Sequence, residues 1–150
     1  MTQIRICVQQ EPFDFGMECE RFAEGRQDTG AVVTFCGIVR DLGGAALEAM
    51  EIEHYPGMTE RALEQIARDA AARWNLTEIL ILHRYGPLRP GERIMMVATA
   101  SAHRAEAFAA ADFLMDYLKS RAPFWKKETT QAGSDWVAAK ASDEEALSRW

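Results

Sequence analysis

The stretch from Ser101 to Glu128 (SAHRAEAFAAADFLMDYLKSRAPFWKKE) constrains the fold most, because its first two-thirds read as a long helix that cannot stand alone. Phe108, Ala111, Met115 and Leu118 recur at helical spacing, so one face is apolar and needs a core to cover it. Pro123 stops the helix, and Lys119 and Arg121 fall in its last turn, where the helix dipole favours cations. The other end breaks that rule. Ser101 is the expected N-cap, yet the first turn then carries His103 and Arg104. An anion bound there removes the conflict, since free backbone N–H groups and an arginine both suit a phosphate or carboxylate.

The rest of the chain supplies strands for this helix to lie on. Gln3 to Val8 alternates polar and apolar residues and reads as a strand, followed by a short helix from Phe15 to Ala23 with Asp14 as its cap. Gly30 to Arg40 is β-branched and bounded by glycine, which predicts a central strand, with a bulge or close approach at Gly37. Asp41 to Ala45 reads as a loop without a basic residue, and Leu47 to Tyr55 alternates again. A helix from Met58 to Trp74 has Ala62, Ile66, Ala70 and Trp74 as its stripe. Thr77 to Tyr85 and Arg93 to Ala100 read as antiparallel strands joined by the loop Gly86 to Glu92. Phe124 to Thr130 and Trp136 to Ala139 predict a hairpin around Gly133. Ser142 with Glu145 reads as a capping box for a last helix. Hairpins mixed with helices in one domain, 1–150, predict the α+β class: a mostly antiparallel sheet with helices packed on it.

Charge narrows the function. Positions 119–127 hold Lys119, Arg121, Lys126 and Lys127 with no acid, while the whole chain of 150 residues carries −6, leaving −10 elsewhere. A basic island on an acidic protein points to a local anionic ligand; nucleic acid asks for a basic face. Cys7, Cys19 and Cys36 are odd in number and lack a C-x-x-C, which argues against a disulfide framework or a cysteine zinc site. His54, His83 and His103 show no metal-ligand spacing, so no metal is expected. No apolar run approaches a membrane span and the N-terminus lacks a signal-peptide pattern, which places the chain in the cytoplasm.

Five stretches occur in order: GAVVTFCGIVR, EHYPGM, HRYGPLRPG, SAHR and LKSRAPFWKKE. Together, across about Gly30 to Trp136, they resemble the catalytic (large) subunit of molybdopterin synthase. The resemblance implies an α/β-hammerhead type of fold with no metal or cofactor of its own. It implies transfer of sulfur to cyclic pyranopterin monophosphate (precursor Z), forming the dithiolene of molybdopterin. The implied sulfur donor is the C-terminal thiocarboxylate of a small ubiquitin-like partner ending in Gly-Gly. Two large subunits are implied to form a central dimer with a small subunit at each end, a heterotetramer. The catalytic lysines of the family fall on Lys119 and Lys126. Its substrate-binding positions fall on Ile38, Val39, Arg40, His103, Arg104, Lys127 and Glu128. Relatives can carry a polar or basic residue where this chain has Ile38, so a side-chain contact there is not carried over.

The residue types suit that task. Arg40, His103 and Arg104 fit a cyclic phosphate, and a lysine with a lowered pKa can move protons during sulfur transfer. Neighbouring Lys126 and Arg121 are expected to lower that of Lys119; covalent capture of the partner's carbonyl by Lys119 ranks below acid–base work. His103 and Lys119 lie 16 residues apart on one helix, roughly 24 Å. One pterin cannot reach both, which predicts a pocket shared across a two-fold dimer. Two rival readings stand beside this one: a non-catalytic module binding an anionic metabolite, and a thiol relay at Cys36, whose apolar flanks favour a buried structural cysteine.

Overall fold

The computed structural model describes residues 1–41, 47–137 and 140–150. Twelve elements follow in order: β1 (Gln3–Gln9), α1 (Phe15–Arg21), β2 (Ala31–Ile38), β3 (Leu47–His54), α2 (Met58–Arg73), β4 (Leu76–Arg84), β5 (Gly86–Leu88), β6 (Arg93–Ser101), α3 (Arg104–Arg121), β7 (Phe124–Thr130), β8 (Gly133–Trp136) and α4 (Ala141–Leu147). The class is α+β, as expected, but the strands form two four-stranded sheets, β1-β4-β6-β2 and β5-β3-β7-β8. Among the described residues only the pairing of β1 with β4 is parallel; the other pairings are antiparallel.

The first sheet carries the core on both faces. In β4, Ile79 and Ile81 pack with α2 and α3 residues such as Leu63, Ile66, Phe113 and Leu114, while Leu80 and Leu82 face the α1 side with Met96 and Ala98. Burial on both faces explains why β4 and β6 are almost continuously apolar. The predicted central strand Gly30 to Arg40 is instead β2, at the sheet's edge. Its β-branched residues partly face solvent, with Val32, Phe35 and Ile38 all exposed. The expected irregularity at Gly37 is present: the register shifts between Gly37 and Ile38, and a Cβ on Gly37 would meet Met95 at 3.3 Å.

Both long helices keep most of their predicted faces and extend them. In α2 the buried residues are Thr59, Leu63, Ile66, Ala67 and Ala70, so Ile66 and Ala70 are buried as expected, Trp74 packs half-buried against the core and Ala62 is half-buried. In α3 they are Ala107, Ala110, Ala111, Phe113, Leu114 and Leu118, with Met115 half-buried against the same core, whereas Phe108 is 62% exposed. Alanines surround the whole of this helix, so its apolar pattern allows two phases; the chosen one buries Phe113 and lays small residues against the sheet. Ser101 is not the cap of α3. It ends β6, fully buried, and donates to the Asn75 carbonyl (2.8 Å), leaving His103 as the N-cap.

Asp14 caps α1 as predicted, accepting from Met17 N at 3.0 Å. The loop after β4 contains the short strand β5, and the second hairpin strand is Gly133–Trp136 rather than Trp136 to Ala139, whose last residues lie outside those described. The loop reading of Asp41 to Ala45 likewise lies, beyond Asp41, outside the described residues. The capping box on Ser142 does not form, because α4 starts earlier, with Lys140 at its N-cap. No helix among the described residues is long and apolar enough to cross a membrane.

Candidate active site

Two residues, Ala102 and His103, link β6 to α3, so the helix must double back over the sheet. Its 18 residues span about 27 Å and β6 spans about 30 Å. The N-terminus of α3 therefore sits where β6 ends, and its C-terminus where β6 begins. β2 runs antiparallel to β6, with Ala31 opposite Ser101 and Ile38 opposite Arg93. Arg40, just past β2, thus lies on the Lys119 side. The predicted cations separate into two groups: Lys119, Lys126 and Arg40 at one end of the helix, His103 and Arg104 at the other. All but Lys126 are exposed.

Lys119 and Lys126 come together from different elements. Lys126 is on β7 opposite Ile52 and shares the inner face of the second sheet with Phe124 and Glu128, opposite His54 and Met50. Ile52 and Met50 are buried, so the Lys126 amine leaves the sheet in a largely apolar setting. Burial first, then the Lys119 charge and a hydrogen bond with it, lower the Lys126 pKa to about 8; Lys140 adds to this and Asp143 opposes it. The lowered lysine is thus Lys126, where Lys119 was expected. Arg121 takes no part, since it pairs with Glu144 at 2.9 Å. Lys127 points to the opposite face of its sheet, its amine 5.8 Å from the Trp136 ring centroid.

Val39 is buried, and both its backbone groups are used: its N–H donates to the Glu92 carbonyl (2.9 Å) and its carbonyl accepts from Gly91 (2.8 Å). Of the run Ile38, Val39 and Arg40, only the first and last project outward. At the far cluster, the first turn of α3 has no side-chain cap, and its acid, Glu106, instead accepts from Asn75 N (2.6 Å). Open N–H groups beside Arg104 give this end the chemistry that suits an anion.

The sequence did not single out the floor beneath the lysines. His83 is buried and stacks on Phe124, with centroids 3.8 Å apart and planes at 15°; His54 packs against both Tyr85 and Phe124. His83 Nδ1 lies 2.7 Å from the Arg84 carbonyl, which can only accept, so Nδ1 carries the hydrogen. Burial, together with the charges of Lys126 and Lys119, lowers its pKa to about 3, so the ring is neutral and Nε2 bare near pH 7. His83 and His54 are far apart in sequence, and the pairing of β3 with β5 and β7 brings His54 against Tyr85 and Phe124, on which His83 stacks. The one available signal was a histidine directly after the apolar run Ile79 to Leu82. Cys36 gives no support to a thiol relay: burial raises its thiol pKa, against the Arg93 charge that lowers it.

An α+β chain with two juxtaposed lysines, one lowered toward neutrality, and separate cationic groups has the equipment of an enzyme acting on an anionic substrate through amine acid–base chemistry. Comparison with known proteins defines which. The family described as MoaE protein matches residues 8–121. The molybdopterin synthase catalytic subunit of Cereibacter sphaeroides is 68% identical over 147 residues, covering 98% of this chain and 100% of that one. A MoaE protein structure from Burkholderia ambifaria matches at TM-score 0.83 and 49% identity, covering 100% of this chain and 98% of that one. A molybdopterin synthase structure from Staphylococcus aureus matches at TM-score 0.80 and 33% identity, covering 87% and 95%. The chain belongs to the MoaE family, the catalytic subunits of molybdopterin synthase.

Proposed function

We propose that this chain, as one domain over 1–150 in the cytoplasm, moves sulfur from the C-terminal thiocarboxylate of a small ubiquitin-like subunit onto cyclic pyranopterin monophosphate. The observation that carries this is the lysine pair. With Lys126 lowered to about 8, part of it is a free amine near neutral pH, able to accept a proton and a hydrogen bond from the Lys119 ammonium. Lys119, exposed in the last turn of α3, is the proton donor and the charge that steadies developing negative charge on the substrate or the thiocarboxylate. Arg40 supplies a forked donor for the phosphate from the same side. Glu128, on the Lys126 face, orients the pterin, whereas Lys127 faces away and serves the partner's surface.

His103 and Arg104 join this site from the neighbouring protomer. A two-fold axis crossing the middle of β2 and α3 brings the start of one α3 to the end of the other. The exposed apolar residues Val32, Phe35 and Ile38 on the edge strand, with Phe108 on the helix, supply a surface for such a contact. One small subunit at each outer end completes the heterotetramer.

The test is single-turnover conversion of cyclic pyranopterin monophosphate with a thiocarboxylated partner. Lys119→Ala is expected to lose on the order of a hundredfold or more in rate while still folding and binding the partner. Lys119→Arg should fail as well, because a guanidinium does not give up its proton; full activity in that variant would favour a site that only binds.

A further inference from the structure

We propose that Glu92 and Arg84 form a clamp that positions Arg40 toward the substrate's anionic group, an inference that rests on the reading of Arg40 as a substrate-binding residue. β2 departs from its ladder at the bulge between Gly37 and Ile38. Beyond it, the chain leading to Arg40 is held by a different device. Val39 N–H donates to the Glu92 carbonyl (2.9 Å), and Gly91 N–H donates to the Val39 carbonyl (2.8 Å). These two bonds fix the peptide immediately before Arg40 on the turn that joins β5 to β6. Arg40 can aim only as well as that turn is held.

The turn is held by two side chains. The Glu92 carboxylate accepts from Arg89 N–H (2.5 Å), closing the turn alongside the Glu92 N–H to Arg89 carbonyl bond (3.1 Å). Its other oxygen lies 3.5 Å from Arg84 Nη1. Arg84 is 6% exposed, unusual for an arginine, and it donates to the Gln10 carbonyl (3.0 Å) and the Arg93 carbonyl (3.4 Å). A buried guanidinium is tolerated only where its donors are met, so its position is set by β1's end and β6's start. Gly91 has φ of 91°, which a side chain would strain, so the turn's shape depends on its residues. The chain of contacts runs from the core through Arg84 and Glu92 to Val39 and so to Arg40. Neither Glu92 nor Arg84 needs to touch substrate.

A double-mutant cycle in the complete synthase, with loaded partner and cyclic pyranopterin monophosphate, tests this. Arg40→Ala, Glu92→Ala and the double variant are compared for KM, kcat and thermal midpoint. Glu92→Ala is expected to raise KM about fivefold and to leave kcat within about twofold, an effect within the range of neighbouring residues that couple. In the Arg40→Ala background the same change should leave KM unmoved, since no guanidinium remains to be aimed. Arg84→Lys, which keeps the charge but loses the fork, should repeat the KM effect in part. An equal KM increase in both backgrounds would show that the turn acts independently of Arg40 and overturn the clamp, as would an unchanged KM in Glu92→Ala. If Arg40→Ala itself leaves KM unchanged, the substrate-binding role of Arg40 fails and the clamp falls with it.

Discussion

Lys126 occupies the inner face of a strand, a place where a lysine amine loses much of its water. Folded Lys126 gives up its proton near pH 8, against 10.5 in the unfolded chain. Between those values the unfolded state binds more protons, so stability rises with pH across the window. Below about 8 the full cost of holding the ammonium is present. The same titration is readable without turnover: the rate at which an acylating reagent labels Lys126 should show a midpoint near 8. In Lys119→Met, which removes the neighbouring charge and hydrogen bond, that midpoint should move up, though not to the ordinary value, because burial is the larger cause. A midpoint that stays in place would mean that burial alone holds the amine and that Lys119 is not its electrostatic partner. His83 belongs to the same arrangement. It is a ring fixed by the Arg84 carbonyl and stacked on Phe124, two residues before Lys126, so the strand carrying the amine starts from a rigid floor.

That floor is tied to an element's end, the start of α2. Thr59 is fully buried, and its hydroxyl donates its single hydrogen to the Tyr55 carbonyl (2.8 Å). It must therefore accept from Tyr55 N–H (3.0 Å) and from His54 Nδ1 (3.1 Å), which sets the His54 tautomer. Gly57, at φ of 84°, makes the turn, and its N–H donates to Glu60 (2.6 Å). Thr59→Val keeps the shape and loses all three hydroxyl bonds, leaving the Tyr55 N–H and His54 Nδ1 without this partner, while the Tyr55 carbonyl still accepts from the backbone N–H of residue 59 (2.9 Å). It is expected to cost about 2 kcal/mol, seen as a lower urea midpoint with an unchanged slope. A change within about 0.5 kcal/mol would show that this hub carries little. EHYPGM was legible as one of five motif stretches, but the hub at Thr59 beside it was not, because a hydroxyl acting on three groups is invisible to periodicity. Elements were legible where one pattern allowed one answer, as in the continuous apolar run of β4 or the Asp14 cap of α1. They were not where alternatives balanced. The alanine-rich α3 could bury Phe108 or Phe113, and only the sheet decided it. The apolar residues of β2 read as central because exposed and buried valines look alike in a sequence. The lysines were legible from their motif, but the electrostatic difference between them arises from where β7 pairs, at Ile52.

At the scale of the whole molecule, the α3 helix of one protomer separates His103 and Arg104 from Lys119 and Lys126 by its full length. If each pocket draws its lysines from one protomer and its His103 and Arg104 from the other, two inactive variants can rescue each other. Lys119→Ala and Arg104→Ala homodimers each carry a defect in both of their sites. A mixed dimer collects both defects in one site and leaves the other intact. Unfolding and refolding the two variants together in equal amounts makes about half the dimers mixed, each with one working site, so activity should recover to about a quarter of wild type. The separately refolded variants, combined without exchange, should stay near their low starting values. No recovery in refolded mixtures shown by mass to contain mixed dimers would place every catalytic group within one protomer. The two ends of α3 would then have unrelated roles, and the exposed edge of β2 would need another explanation. Recovery would assign the Arg104 end of the helix to the neighbouring pocket. It would also make dimerisation a condition of catalysis, so that dilution below the dimer's dissociation constant abolishes turnover while each protomer stays folded.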